Sequence, residues 1–181
     1  MKRYEEIFAR YGGLVNVRVR ANLVVGSDGA TTLNGRSAGL SSANDRNRFH
    51  VMRAEFDVIV IGGKTAITEP YRKTPIPLVV VSHNPLIPES LTTHPALYWW
   101  QISPAAAIAK CLAEFGSRVL IEGGPNFLIA ALPEITEFAI TRTKISGGEN
   151  KVDLIKLLTE FALVSEEVLT DEIFQIFKRV N

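Results

Sequence analysis

Two segments of this chain follow the same plan. FDVIVIGGKTAI (residues 56–67) and RVLIEGGPNFLIAAL (residues 118–132) each run a short apolar strand into two glycines and then into a helix. A strand without polar alternation is covered on both faces, which calls for helices on either side of a largely parallel sheet. In open sheets of that kind, ligands bind outside the carboxyl ends of the strands. The free amides that open the following helix favour an anion there. The doubled motif therefore sets both the architecture and the place to look for a site.

The remaining elements fit around it. Tyr4, Ile7, Phe8 and Tyr11 form one apolar stripe over 3–11, a short helix stopped by Gly12 and Gly13. Residues 14–25 alternate as a half-buried strand, with Val15, Val17, Val19, Ala21 and Leu23 on one face and Asn16, Arg18, Arg20 and Asn22 on the other. Ser42 and Asp45 open a helix over 43–54. A short helix near 64–69 ends by Pro70, and strands follow at 76–83 and 96–102. Ser103 caps, Pro104 starts and Gly116 stops a helix that lines up Ile108, Leu112 and Phe115. Pro125 and Pro133 bracket another helix; a strand near 135–141, a helix near 151–159 and a hairpin of 161–169 with 172–180 close the chain. The prediction is a single α/β domain over 1–181, with a mostly parallel central sheet and an antiparallel C-terminal hairpin.

Composition narrows the function. The chain has 181 residues and a net charge of +1, with no basic stripe, which argues against nucleic acid as a partner. No apolar run approaches 18 residues, and Glu5 and Glu6 interrupt the N-terminus, so the expectation is a cytoplasmic protein without a membrane partner. Cys111 is the one cysteine and falls in an apolar helical pattern; no Cys/His cluster is available for a metal. His50, His83 and His94 show no ligand spacing and suit surface or loop positions.

Candidate site residues gather at strand ends. Gly123 and Gly124 would let a ligand approach the backbone, and with Pro125 lacking an N–H, the donors would be Gly124, Asn126 and Phe127. Gly62, Gly63 and Thr65 form the second such corner, with Lys64 as a possible anion partner or a solvated lysine. A single Gly-Gly turn also serves as a plain corner, and this is not the G-x-G-x-x-G fingerprint. Asp28, in an SDG turn, and Glu122, at the end of an apolar strand, are two carboxylates that can face one cleft, to bind donor groups on a heterocycle or to steer a proton. Arg46 and Arg53 lie two turns apart on one helix face, where either can grip a phosphate; Arg48 suits a solvated face. Between the first strand and this helix runs GSDGATTLNGRSAGLSS (26–42), polar and glycine-rich in the manner of a functional loop.

In this order, the loop with its following helix and strand, VVVS at 79–82 and IEGGPNFLIAAL at 121–132 resemble the pyrimidine reductase family of riboflavin biosynthesis, over about residues 15–140. The resemblance implies a three-layer, dihydrofolate-reductase-like fold, NADPH as cofactor, a homodimer, and reduction of the ribosyl group of a phosphoribosylamino-pyrimidine to ribityl. It implies a place for Asp28 beside cofactor and substrate, and substrate binding by Ser37, Arg53 and Glu122. Cofactor contacts are implied for Thr65, Glu69, Ser82 and the segment from Gly124. The chain departs from the family at Gly26, Gly39, Glu69 and YRKTP (71–75), where Arg72 or Lys73 stands in for a missing arginine motif. Two other readings keep the same cleft: a reductase of another small substrate such as a pterin, and a non-catalytic nucleotide-binding protein. Zinc-dependent deamination is excluded, since neither H-x-E nor P-C-x-x-C occurs.

Overall fold

The computed structural model describes residues 18–180; the expected helix over 3–11 and residues 14–17 of the first strand lie outside them. The strands are β1 (Arg18–Val25), β2 (Val58–Gly62), β3 (Leu78–Val81), β4 (Leu97–Trp100), β5 (Arg118–Ile121), β6 (Glu137–Thr143), β7 (Phe161–Val168) and β8 (Glu172–Arg179). The helices are α1 (Ala43–Arg53), α2 (Gly63–Thr68), α3 (Pro104–Glu114), α4 (Pro125–Ala131) and α5 (Leu154–Leu157). All eight strands form one sheet in the order β4-β3-β2-β5-β1-β6-β8-β7. Pairing is parallel from β4 to β6 and antiparallel for β6–β8 and β8–β7.

The helices sit on both faces. Val19, Ala21, Leu23, Val60, Val79, Val119 and Ile121 pack against Ala107, Ile108, Cys111 and Leu112 of α3 and Leu128 and Ala131 of α4. On the opposite face Ile59, Ile61, Leu78, Val80 and Leu120 meet Met52 of α1, Ala66 of α2 and Tyr71. The caps are where the sequence puts them. Ser42 Oγ accepts from the Asp45 amide at 2.9 Å and Ser103 Oγ from the Ala106 amide at 3.2 Å. Gly116, at φ +135°, ends the α3 segment in a conformation that disfavours a side chain.

Three expectations are corrected. The helix near 151–159 is a single turn, because Phe161 is drawn into the sheet to pack edge-on against Phe138 at 4.8 Å. The polar face of β1 is not solvated: Arg20 is buried and bonds Glu137 at 2.9 Å, and Arg18 and Arg20 both lie over the Phe56 ring. Arg48 leaves the solvated helix face to pair with the buried Glu172 and stack on Phe174.

His94 lies in the loop before β4, one of the two kinds of position expected for it, but is buried there. It is 7% exposed, and its Nδ1 accepts from the Ala96 amide at 3.1 Å. That fixes the proton on Nε2, which donates to Thr74 Oγ1 at 2.9 Å, while the hydroxyl donates to the Ile76 carbonyl. Burial lowers the ring's pKa from 6.5. A depressed pKa in the folded state means that the unfolded chain binds more protons as pH falls. The contribution is therefore complete above about 6.5 and is lost as the pH drops through the lowered value. Thermal melts at pH 7.5 and pH 5 should show a larger acid loss for the wild type than for His94→Gln; equal losses would refute the assignment.

Candidate active site

Because β3, β2, β5, β1 and β6 are parallel neighbours, their carboxyl ends lie along one edge of the sheet. That edge carries Ser82 after β3, Gly63 and Thr65 after β2, Glu122 after β5, Asp28 after β1 and the segment from Lys144 after β6. The residues singled out in the sequence are thus gathered by topology.

The polar loop after β1 is zipped to the segment after β6. The amides of Thr31 and Thr32 donate to the Glu149 carbonyl, and the Glu149 amide returns a bond to the Thr32 carbonyl at 2.8 Å. The Glu149 carboxylate accepts from the Gly35 amide, from Thr32 Oγ1 and from the Asn34 amide, which together hold its pKa below the usual range. Gly29, at φ +85°, admits the Val152 carbonyl where a side chain would stand. Much of the loop's polarity therefore serves this pairing, which needs two segments far apart in sequence and left no local signal.

Asp28 belongs to the same zipper. Its Oδ2 accepts from Lys151 Nζ at 3.0 Å and from the Gly147 amide at 3.1 Å, and its Oδ1 from the Ala30 amide at 3.3 Å. Lys151, then Gly147, hold its pKa down to about 2. Near neutral pH it is an acceptor with no proton to give.

Glu122 is 6% exposed and lies on the α1 face of the sheet. Arg53, in the last turn of α1, donates from Nε to Oε1 at 2.9 Å and from a terminal nitrogen to Oε2 at 2.7 Å. Tyr71 donates its hydroxyl to Oε2 at 2.7 Å. The guanidinium lies over two aromatic rings, 4.1 Å from the Phe49 centroid and 5.2 Å from that of Tyr71. Arg53 thus closes its fork on Glu122. Burial raises the Tyr71 pKa well above 10, so the phenol stays a donor. Tyr71 was the residue that sequence reasoning missed; its signal was an aromatic directly after Pro70, in the stretch that departs from the family pattern.

The remaining candidates divide. Ser37 donates its amide to Glu69 Oε1 at 2.7 Å, which links the loop to the end of α2. Arg72 and Lys73 are exposed, as is Arg46, which donates to the Ser41 carbonyl. At the two glycine corners, the missing side chains make room for protein. A Cβ on Gly62 or Gly123 would lie 3.1 or 2.9 Å from the Phe127 ring, and one on Gly63 would lie 2.6 Å from Ser82 Oγ. Phe127 therefore fills the corner between β2 and β5, while a Cβ on Gly124 would meet nothing within 4 Å beyond its chain neighbours. Pro125 opens α4, and the amides of Asn126 and Phe127 belong to its first turn, where no intrahelical partner exists.

No protein-family model matches the sequence, and no curated protein matches it. Solved structures do. The Enterococcus faecalis dihydrofolate reductase, complexed with NADP(H), superposes with a TM-score of 0.68 at 14% identity, over 91% of this chain and 97% of that one. The fold is dihydrofolate-reductase-like. A pyrimidine reductase-like protein from Corynebacterium diphtheriae gives a TM-score of 0.69 at 16% identity, over 94% and 97%. The Thermotoga maritima diaminohydroxyphosphoribosylaminopyrimidine deaminase/5-amino-6-(5-phosphoribosylamino)uracil reductase gives 0.69 at 12% identity. This chain is covered over 90% there and spans 56% of the Thermotoga protein. Among the described residues, no helix is long and apolar enough to cross a membrane.

The corner geometry yields a paired test. Gly123→Ala should lower stability by roughly 1–3 kcal/mol, since its Cβ would lie 2.9 Å from the Phe127 ring and 3.1 Å from the Phe127 Cβ. Gly124→Ala, facing open space at φ −72°, should stay within about 0.5 kcal/mol. Urea unfolding of the two variants checks the contrast, and equal losses would refute it.

Proposed function

We propose that this chain is an NADPH-dependent reductase that converts the ribosyl group of a 5-phosphoribosylamino-pyrimidine to ribityl. The observation that carries the reading is the parallel order β3-β2-β5-β1. It sets two glycine corners side by side, with one carboxylate at the second corner and another at the next strand end, both accepting hydrogen bonds. Fold likeness to a protein that binds NADP(H) and to pyrimidine reductases supports it.

In this reading the cofactor lies across the ends of β2 and β5. Thr65, Glu69 and Ser82 stand on one side and the segment Gly123 to Phe127 on the other, with the open space at Gly124 and the first-turn amides of α4 toward its phosphates. When bound, NADPH supplies the hydride delivered to C1′ of the sugar. The chain's own part is alignment: holding donor and acceptor in register shortens the search for a reactive geometry. Glu122 and Asp28 take N–H and O–H donors of the substrate, and Ser37 and Arg72 stand where the loop and the 71–75 segment can reach its polar end.

A second reading has one observation in its favour. With the Arg53 fork closed on Glu122 and covered by two rings, that arginine is poorly placed to grip a phosphate. A pterin or another substrate without a phosphate suits that arrangement.

Quenching of NADPH fluorescence on titration should give saturable binding in the micromolar range. Loss of NADPH absorbance should then accompany turnover of the phosphoribosylamino-pyrimidine. Binding with turnover of a pterin alone would select the second reading, and no binding at high micromolar cofactor would end both.

A further inference from the structure

We infer that Tyr71 is a positioning residue: with Arg53 it fixes Glu122 as an acceptor-only carboxylate that selects a ligand edge bearing amino donors. The identity of that ligand as a pyrimidine rests on the reductase reading.

The argument is one of counting donors and lone pairs. A carboxylate offers about four acceptor directions, two on each oxygen. Arg53 Nε takes one on Oε1; the Arg53 terminal nitrogen and the Tyr71 hydroxyl take both on Oε2. One direction remains, on Oε1. The two parallel bonds from Arg53 set the plane of the carboxylate, and the third donor removes the alternative site on the other oxygen. A site built this way accepts and cannot donate, so it rewards an N–H on the ligand and penalises a group of the same shape without one.

Tyr71 is itself held from two sides. Its amide donates to the Glu69 carbonyl at 3.1 Å, and the Glu69 carboxylate is tied to the Ser37 amide. Three residues on, Thr74 is anchored to His94. The ring is buried among Met52, Ile61 and Ala66 of the α1-side core. The hydroxyl consequently has one place to be, which is the condition for a residue that orients another.

The test compares binding of 5,6-diaminouracil and 5,6-dimethyluracil, bases of one shape with and without the amino donors, by calorimetry with and without saturating NADPH. The wild type should prefer the diamino base by about tenfold or more. Tyr71→Phe, which keeps the ring, should cut that preference to about twofold, with NADPH affinity unchanged and Tm within a few degrees. Glu122→Gln should abolish it. A merely structural tyrosine would move Tm and both bases together. Wild-type preference retained in Tyr71→Phe, or no preference in the wild type, overturns the inference. A diamino preference without NADPH binding would sink the reductase reading and leave this one standing; NADPH oxidation without the preference does the reverse.

Discussion

Burying a carboxylate at the end of a central strand costs several kcal/mol unless a cation meets it with matched geometry. Glu122 sits at such a position, and the cation comes from Arg53 in the last turn of α1. The requirement fixes more than the pair. The end of α1 must pass over β5, and the chain after α2 must bring Tyr71 back to the same oxygen. The loop that precedes α1 is thereby set at the carboxyl edge of the sheet, where Ser37 meets Glu69. Replacing such a pair by apolar side chains is often neutral or stabilising, so its value here lies in fixing register and in presenting a carboxylate, not in net stability.

The same logic runs across the α1-side face. Near the start of β1, Arg18 and Arg20 converge on Glu137, with Glu55 beside them and Phe56 beneath the guanidinium groups. Toward β8, Arg48 and Ser42 both reach the buried Glu172. The middle of that face is apolar, through Met52, Leu120 and Ala139. An α-helix ringed by ion pairs and seated on a small apolar centre has one orientation and little freedom to slide. The other face, under α3 and α4, has an apolar core with a buried arginine at its margin, where Arg179 pairs with Glu160, lies over the Phe161 ring and donates to the Ile135 carbonyl at 2.9 Å.

Element type and order were legible because they rest on local rules: caps at Ser42 and Ser103, proline starts at 104 and 125, and unbroken apolar runs in β2, β3 and β5. The placement of Asp28, Glu122, Gly63 and Ser82 along one edge of the sheet was legible too, since parallel strands bring their carboxyl ends to the same side. What stayed hidden depends on partners distant in sequence. Nothing near Arg53 announces Glu122, 69 residues on. Nothing near Thr31 announces Glu149, and the alternation in β1 could not say that Arg20 would be buried with Glu137. Glycines misled in one respect: at 62, 63 and 123 they clear space for Phe127 and Ser82, a reason that looks identical in sequence to clearing space for a ligand.

The two carboxylates bear on which chemistry these strand ends suit. Asp28 is held ionised by Lys151 and the Gly147 amide, and Glu122 accepts three hydrogen bonds, two of them from a guanidinium. Of the two roles open to such a pair, binding donor groups is supported by this arrangement and steering a proton is not. A reaction that needs a strong acid on the protein is badly served here. One in which the acceptor carbon is already electrophilic, so that alignment sets the rate and the proton arrives from solvent or from the substrate's own amine, is well served. Reduction at the anomeric carbon of a glycosylamine, through its open-chain imine, has that character: a hydride adds to carbon and a proton to nitrogen. The electrostatics of the strand ends and the proposed reaction thus constrain each other through the position of a single proton.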